Sequence, residues 1–474
     1  MTAAAPARHD WLAFYVLCAG VLMIVLDTTI VNVALPSIKA DLGFSETALA
    51  WVVNAYMLTY GGCLLLAGRL GDLLGHRRVF LIGLAAFTLA SLACGLAPSQ
   101  LMLVVARATQ GLGGAVVSAV ALSLIMDLFT GPADRAKAMG IYGFVCAGGG
   151  SIGVLLGGLL TSTLSWHWIF LVNLPIGIAV ALATLRLVPG TRKPFEGRLD
   201  VAGAASVTLA LTLAIYAVVN GNEAGWTSPA TLGVLAGALA SLALFVTVES
   251  RVRSPLIPLR LFRHRNLSVA SLIGVLWCAA MFAWFFLSAL YMQQVLGYDP
   301  FRVGLAFLPA NLVMAVCSVS LSARLVMRFG IRRPLAVGLA MAAIGLALFA
   351  RAPLDGRFAI DVLPAMLLLG LGAGIAFNPV LLAAMGDVGP DQSGLASGVV
   401  NTAFMMGGAL GLAVLASLAA AETNALAGAG ESSLAALNGG YHRAFLAGAC
   451  AAAAAALAGA WLLRPRATDS TSDP

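Results

Sequence analysis

The chain has 474 residues, of which 61% are hydrophobic and only 10% charged, with a mean hydropathy of +0.96 and a formal charge of +7. Soluble domains carry about a quarter charged residues, so this is the composition of an integral membrane protein. Apolar runs far longer than the ~10-residue alternating strands of a barrel exclude a β architecture. The positive charge falls in short runs between apolar segments and not in one basic stripe, which excludes a nucleic-acid partner.

The first apolar run, 11–35, is too long for a signal-peptide core and lacks a small-residue cleavage site, so it reads as a membrane helix preceded by a short tail, 1–10. It contains "LDTTIVNVALP" (26–36), with Asp27 inside an otherwise apolar segment and Pro36 just past the expected end. The second span, 49–68, carries Asn54 and leads into "GRLGDLLGHRR" (68–78). There Gly68 and Gly75 permit a tight turn and close helix approach. Asp72 is placed to sit against a helix N-terminus, and Arg77 and Arg78 face the cytoplasm. Plain topogenic charge is the competing explanation of this loop.

The third and fourth spans are 79–97 and 101–126. The fourth contains "RATQGLGG", in which Arg107 is the one Lys or Arg placed inside a span and Gln110 follows three residues on. An intramembrane charge costs at least about 2.5–3.5 kcal/mol on insertion scales and marks function by default. Snorkelling to the outer interface is the alternative. Counted from the expected helix ends, Asp27 lies about 12 Å and Arg107 about 9 Å inside the outer side, at similar depth. Burial disfavours a charged carboxylate and a guanidinium favours it, so intermittent contact with Arg107 would switch Asp27 between proton loading and release. A structural Asp, permanently paired with Arg107 or capping a break before Pro36, is the alternative.

The fifth span, 137–160, holds a glycine ladder, Gly140, Gly149, Gly153 and Gly157, suited to flexibility or to close helix packing alone. The sixth, 168–186, overlaps "WHWIFLVNLPIG" (166–177), and the seventh and eighth are 201–220 and 230–249. The ninth, 267–290, includes "LWCAAMFAWFFLSALYMQQ", whose Trp277, Met281, Trp284, Phe285 and Gln293 fit the wall of a cavity for apolar cargo as well as they fit a lipid-facing surface. Spans 302–324, 334–350, 362–385, 395–420 and 441–463 complete about fourteen, with Asn54, Gln110, Asn311, Asn378 and Asn401 as further polar cavity candidates. No second acid falls at mid-membrane, so Asp27 would have to serve both a proton and a cationic cargo, and lipophilic recognition is expected to dominate. All seven cysteines lie within spans without CxxC pairs or nearby histidines, so no metal is expected.

With the N-terminus inside, about 21 of the 27 Lys and Arg residues lie on cytoplasmic segments, which places both termini in the cytoplasm. The chain also repeats itself. "GRLGDLLGHRR" has a degenerate copy in "ARLVMRFGIRR" (323–333), where Met327 replaces the acid, and the spacing Gly140/Gly149/Gly153 recurs as Gly398/Gly407/Gly411. An offset of about 255 residues maps the first six spans onto the last six and leaves spans seven and eight as an inserted pair. The expected organisation is an N-terminal tail (1–10), a six-helix half (11–190), the inserted helices (191–255), a second six-helix half (256–463) and a disordered cytoplasmic tail (464–474).

The loop 68–78 resembles the signature between the second and third helices of the major facilitator superfamily, where it acts as a latch closing the cytoplasmic side. "RATQGLGG" and the glycine ladder resemble further family motifs, the latter the antiporter signature of drug exporters with Val154 in place of the usual proline. "LDTTIVNVALP" and "WHWIFLVNLPIG", with His167 where the branch carries arginine, narrow the resemblance to fourteen-helix drug:proton antiporters of the EmrB/QacA type. The resemblance implies an all-α major facilitator fold and a proton-coupled multidrug efflux transporter of the cell's inner (plasma) membrane, working as a monomer by alternating access. Asp27 and Arg107 are, on the grounds of charge and depth given above, the expected proton-coupling pair. No enzyme activity or cofactor beyond the proton gradient is expected, since no nucleotide-binding loop is present. Docking of a periplasmic adaptor protein is left open, as are export of one specific metabolite and nutrient uptake by symport.

Overall fold

In the computed structural model, residues 8–129, 131–190, 199–252, 255–386, 388 and 393–464 are described. Among them fourteen helices are long and apolar enough to cross a membrane, and no strand occurs. Their main segments are α1 (Arg8–Leu42), α2 (Trp51–Leu74), α3 (His76–Gly95), α4 (Gln100–Leu128), α5 (Pro132–Thr163), α6 (Asn173–Leu187, within the span Trp168–Leu187), α7 (Val201–Ala224) and α8 (Pro229–Arg251). Then follow α9 (Arg265–Leu290), α10 (Pro300–Val316), α11 (Arg332–Phe349), α12 (Leu363–Met385), α13 (Ser393–Gly428) and α14 (Ser433–Trp461). The expected tails lie outside the described residues except for 8–10 and 464, as does the whole of the basic stretch 191–198.

Local chemistry sets the helix starts. Ser99, Asp200, Ser228, Asp299 and Ser432 each accept a backbone N–H three residues on, satisfying a donor that the first helical turn leaves unpaired. The reversal from α2 to α3 turns on Gly75 at φ +92°, a backbone conformation costly for any residue with a Cβ. Gly330, 255 positions later, makes the equivalent reversal before α11 at φ +73°.

The packing carries the same duplication. Within the first six helices α1 packs on α4, α5 and α6, α2 on α4, and α3 on α4 and α6. The counterpart pairs in the last six, α9 with α12, α13 and α14, α10 with α12, and α11 with α12 and α14, all recur. The halves meet through α5 on α10 and α2 on α13, two contacts that exchange under the same relation. Glycines let these helices close: a Cβ on Gly304 would stand 2.9 Å from the Val154 carbonyl oxygen, and one on Gly158 would stand 2.5 Å from that of Pro300. Helices α7 and α8 pack on each other, with α7 also resting on α2 and α13.

Several predicted ends fall short. The discrepancy that bears on the site is α1, which runs through Pro36 to Leu42 instead of stopping at 35. Proline is tolerated inside membrane helices when neighbours secure the surrounding backbone. Here Gln100 donates to the Leu42 carbonyl at 3.0 Å, Trp166 donates to Asp41 at 2.9 Å, and Lys39 pairs with Glu46. Asp27 therefore lies about 22 Å from the end of α1, not 12 Å. The second half adds three single π turns, Tyr291–Val295, Cys317–Leu321 and Phe358–Val362, with no π turn among the described residues of the first half.

Candidate functional site: a buried ion pair and an apolar cavity

Despite the misjudged end of α1, Asp27 and Arg107 meet. Arg107 Nη1 lies 2.5 Å from Asp27 Oδ2, with the two side chains 1% and 0% exposed. A buried pair survives desolvation only when its remaining hydrogen-bonding capacity is met, and four helices supply the partners. Gln110 Nε2 donates to Asp27 Oδ1 at 2.7 Å, and Asn173 Nδ2 donates to the same oxygen at 3.0 Å. Gln110 Nε2 also reaches Ser91 Oγ at 2.8 Å, while Gln110 Oε1 accepts from Arg107 Nη1 at 2.7 Å. Arg107 Nε donates to the Val52 carbonyl at 2.9 Å, and its guanidinium stands 4.4 Å from the Tyr56 ring centroid. Gln110, expected to line the cargo cavity, instead belongs to this network. Asn173, Ser91 and Tyr56 were not singled out in the sequence, although Asn173 lies within the "WHWIFLVNLPIG" motif.

A cavity of about 240 Å³ opens between the halves. Trp277, Met281, Phe285 and Asn311 line it as expected, joined by Phe282, Phe377 and Phe404 from the second half. The first half contributes Val25, Thr28, Thr29 and Asn32 from α1. Two donors on this wall, Trp277 Nε1 and Asn311 Nδ2, are buried and have no protein partner.

Asp27 does not line this cavity, which corrects the expectation that one carboxylate serves both proton and cargo. At about 100° per residue, Asp27 points roughly 150° away from the face of α1 formed by Val25, Thr28, Thr29 and Asn32. The other cavity candidates are also placed elsewhere. Trp284 is 1% exposed and packed against Phe285 and Phe307. Asn54 is fully buried on α2, and neither of its polar side-chain atoms has a partner. Gln293, in the first π turn, donates to the Val33 carbonyl at 2.8 Å and so ties the halves together. Asn378 donates to the Ser318 carbonyl at 2.8 Å beside the second π turn, and Asn401 donates to the Ser397 carbonyl at 3.0 Å along its own helix.

Next to the cavity wall, and sharing Val25 and Thr29 with it, α1 rests on the glycine ladder of α5. A Cβ on Gly149 would meet Val25 at 2.9 Å, one on Gly153 would meet Thr29 Oγ1 at 2.1 Å and the Leu26 carbonyl at 2.9 Å, and one on Gly157 would meet the Ile30 carbonyl at 2.5 Å. Gly140 lies in α5. The helix runs unbroken through Val154, which is fully buried. The second ladder is built alike, since Gly407 and Gly411 of α13 abut Val275 and Ala279 of α9, whereas Gly398 meets Leu65 across the halves. Gly157→Ala must push backbone from backbone, so it is expected to lower stability by about 1–3 kcal/mol and to slow transport. Gly148→Ala, with nothing within 4 Å of its Cβ, serves as the control. Thermal unfolding of the two purified variants distinguishes them, and equal melting temperatures would remove the ladder's tight-packing role.

At the 68–78 loop Asp72 sits against the start of α3, where its Oδ1 lies 3.0 Å from Nε2 of His76, the first residue of that helix. The other ring nitrogen of His76 lies 3.2 Å from Asp127 in the last turn of α4, so one imidazole bridges acids from two helices. Neither His76 nor Asp127 was expected here, because the loop's abundant charge masks the histidine. Arg77 donates to the Leu185 carbonyl, and Arg78 is exposed. Gly68 meets nothing within 4 Å, so it does not provide the close approach expected of it; Gly71 does, its absent Cβ leaving room 2.7 Å from the His76 ring. Asp72→Asn weakens one charge-assisted contact far from the cavity, and is expected to slow turnover about tenfold while leaving ligand affinity unchanged. Full transport by a normally expressed Asp72→Asn protein would remove the latch role.

Two pseudo-equivalent six-helix halves around a central cavity, with a buried ion pair beside it, define a secondary transporter. The chain belongs to the Major Facilitator Superfamily, whose family profile matches residues 17–412. It is 40% identical over 441 residues to the puromycin resistance protein pur8 of Streptomyces alboniger, covering 92% of this chain and 87% of that protein. It is 41% identical over 416 residues to the cephamycin export protein CmcT of Amycolatopsis lactamdurans, covering 87% and 85%. Among solved structures, an auto-inhibited POT family peptide transporter superposes with a TM-score of 0.69 at 17% identity, covering 99% of each chain, a likeness of fold alone.

Proposed function

We propose that this protein is a proton-coupled multidrug efflux transporter, exporting hydrophobic small molecules across the plasma membrane by alternating access of its two halves. What supports it is one geometric relation. Helix α1 presents Asp27 to the Arg107 network on one face, while its opposite side lines the apolar cavity with Val25, Thr28, Thr29 and Asn32 and rests on the glycine ladder of α5 through Val25, Thr29 and Ile30. Protonation of Asp27 removes the charge that holds Arg107, freeing α1 to shift along the ladder and reshape the cavity wall. Cargo that reshapes the same wall biases the same helix, so the two sites are coupled through it without sharing a group.

Both termini are placed in the cytoplasm, the protein works as a monomer, and its energy comes from the proton gradient. Everted vesicles with a fluorescent lipophilic dye in the outer medium test this: an imposed inside-acid gradient should drive dye uptake, and substrate addition should release protons. Uptake that ignores the gradient would overturn the coupling. Export of one metabolite is the second reading, favoured by two relatives whose names each specify a single antibiotic. Competition by a panel of chemically unrelated dyes separates the two.

A further inference from the structure

Glu249, at the end of α8, and Asp200, capping α7, are each 4% exposed. Each uses one oxygen for backbone: Asp200 Oδ1 accepts from Gly203 N at 2.8 Å, and Glu249 Oε2 accepts from Ile257 N at 3.1 Å. Their other oxygens, Asp200 Oδ2 and Glu249 Oε1, are buried and have no partner. Both lie 2.7 Å from the single point where a Cβ on Gly203 would stand, so they converge on one place that only a glycine leaves open.

Two ionised carboxylates facing each other away from water repel, and each lacks the donor that burial demands. A single proton removes both defects at once, supplying the missing O–H and cancelling one charge. We propose that Asp200 and Glu249 form a second proton-binding site, one proton shared between their carboxyl groups where the inserted α7–α8 pair meets the 68–78 loop. This inference stands apart from the role assigned to Asp27, because it rests on different residues and a different element.

The charged group facing the pair from α2 is Arg69, whose Nη2 donates to the Pro255 carbonyl at 2.5 Å, two residues before the Ile257 N–H that Glu249 holds. Arg251 lies on the last turn of α8, and α13, which also packs on α7, carries one charged residue, Glu422, toward its far end. With the proton bound, Glu249 and Asp200 close on each other and the 255–257 segment stays seated on both α8 and Arg69. Without it, the repelling carboxylates loosen that segment, so the contact between the inserted helices and the loop responds to pH.

Infrared spectroscopy of the purified protein in lipid nanodiscs at neutral pH tests the site. The wild type should show the carbonyl band of a buried protonated carboxylic acid, and both Glu249→Gln and Asp200→Asn should lose it while Asp27→Asn retains it. An unchanged band in both Glu249→Gln and Asp200→Asn would overturn the proposal. So would the absence of a band together with thermal stabilisation by sodium, potassium or magnesium that Glu249→Gln abolishes, which would make the site a cation site. Should the two amide variants fail to fold, Gly203→Ala places a Cβ against both oxygens and must shift the band. A band that stays in place in Gly203→Ala overturns the proposal as well.

Discussion

The Asp27→Asn protein is expected to insert, fold and bind cargo, yet to accumulate none against a gradient and to release no protons when substrate is added. The amide keeps an oxygen for Arg107 and nearly the same volume, but it cannot exchange a proton at accessible pH. Arg107 would lose its counter-ion while fully buried, and Gln110 and Asn173 would face an amide where they now donate to a carboxylate. Some loss of stability therefore accompanies the change, about 3–5 kcal/mol at most for breaking a buried pair. Melting temperature and ligand affinity must be measured beside transport for this reason. Counterflow exchange of labelled cargo needs no net proton movement, so it should persist when uphill transport is gone. Asp27→Glu should retain partial activity. Wild-type uphill transport with an intact proton dependence in Asp27→Asn would demote Asp27 to a structural role.

Arg107→Ala should act in the opposite sense on the proton. The change removes the 2.5 Å contact with Asp27, the bond to the Val52 carbonyl and the stacking on Tyr56 together. A buried carboxylate stripped of its positive partner gains by holding a proton, so release would require a higher pH than in the wild type. Transport should then be slow, limited by release, and should recover in part as the pH on the releasing side is raised. Arg107→Lys keeps a positive charge but loses the planar fork that contacts Asp27, Gln110 and Val52 at once, and should fall between the two. A pH profile for Arg107→Ala that matches the wild type would show that the two residues are not coupled.

The charged residues of the site were legible because a charge in an apolar run has no cheap explanation, and Asp27 and Arg107 stand out on that ground alone. Ser91 was not legible. Its hydroxyl satisfies itself on the Phe87 carbonyl at 2.9 Å, as serines in membrane helices commonly do, so nothing in the sequence marks it as a partner of Gln110. The direction of Asp27 was hidden for a related reason. Helix α1 is apolar all round, and a helix without a polar face does not announce which side meets a cavity. The duplication was legible through glycine spacing, because the same close approach is needed twice, by α5 on α1 and by α13 on α9. The continuation of α1 past Pro36 was not, since it depends on Gln100 and Trp166, partners that lie far away in sequence.

Every side chain bonded to Asp27 or Arg107 comes from the first six helices, whereas the aromatic wall of the cavity, Trp277, Phe282, Phe285, Phe377 and Phe404, comes from the last six. Natural selection can therefore act on the two separately. On the proposed function, substitutions that widen or reshape the aromatic wall would change what is expelled while leaving every side-chain contact of Asp27 and Arg107 in place.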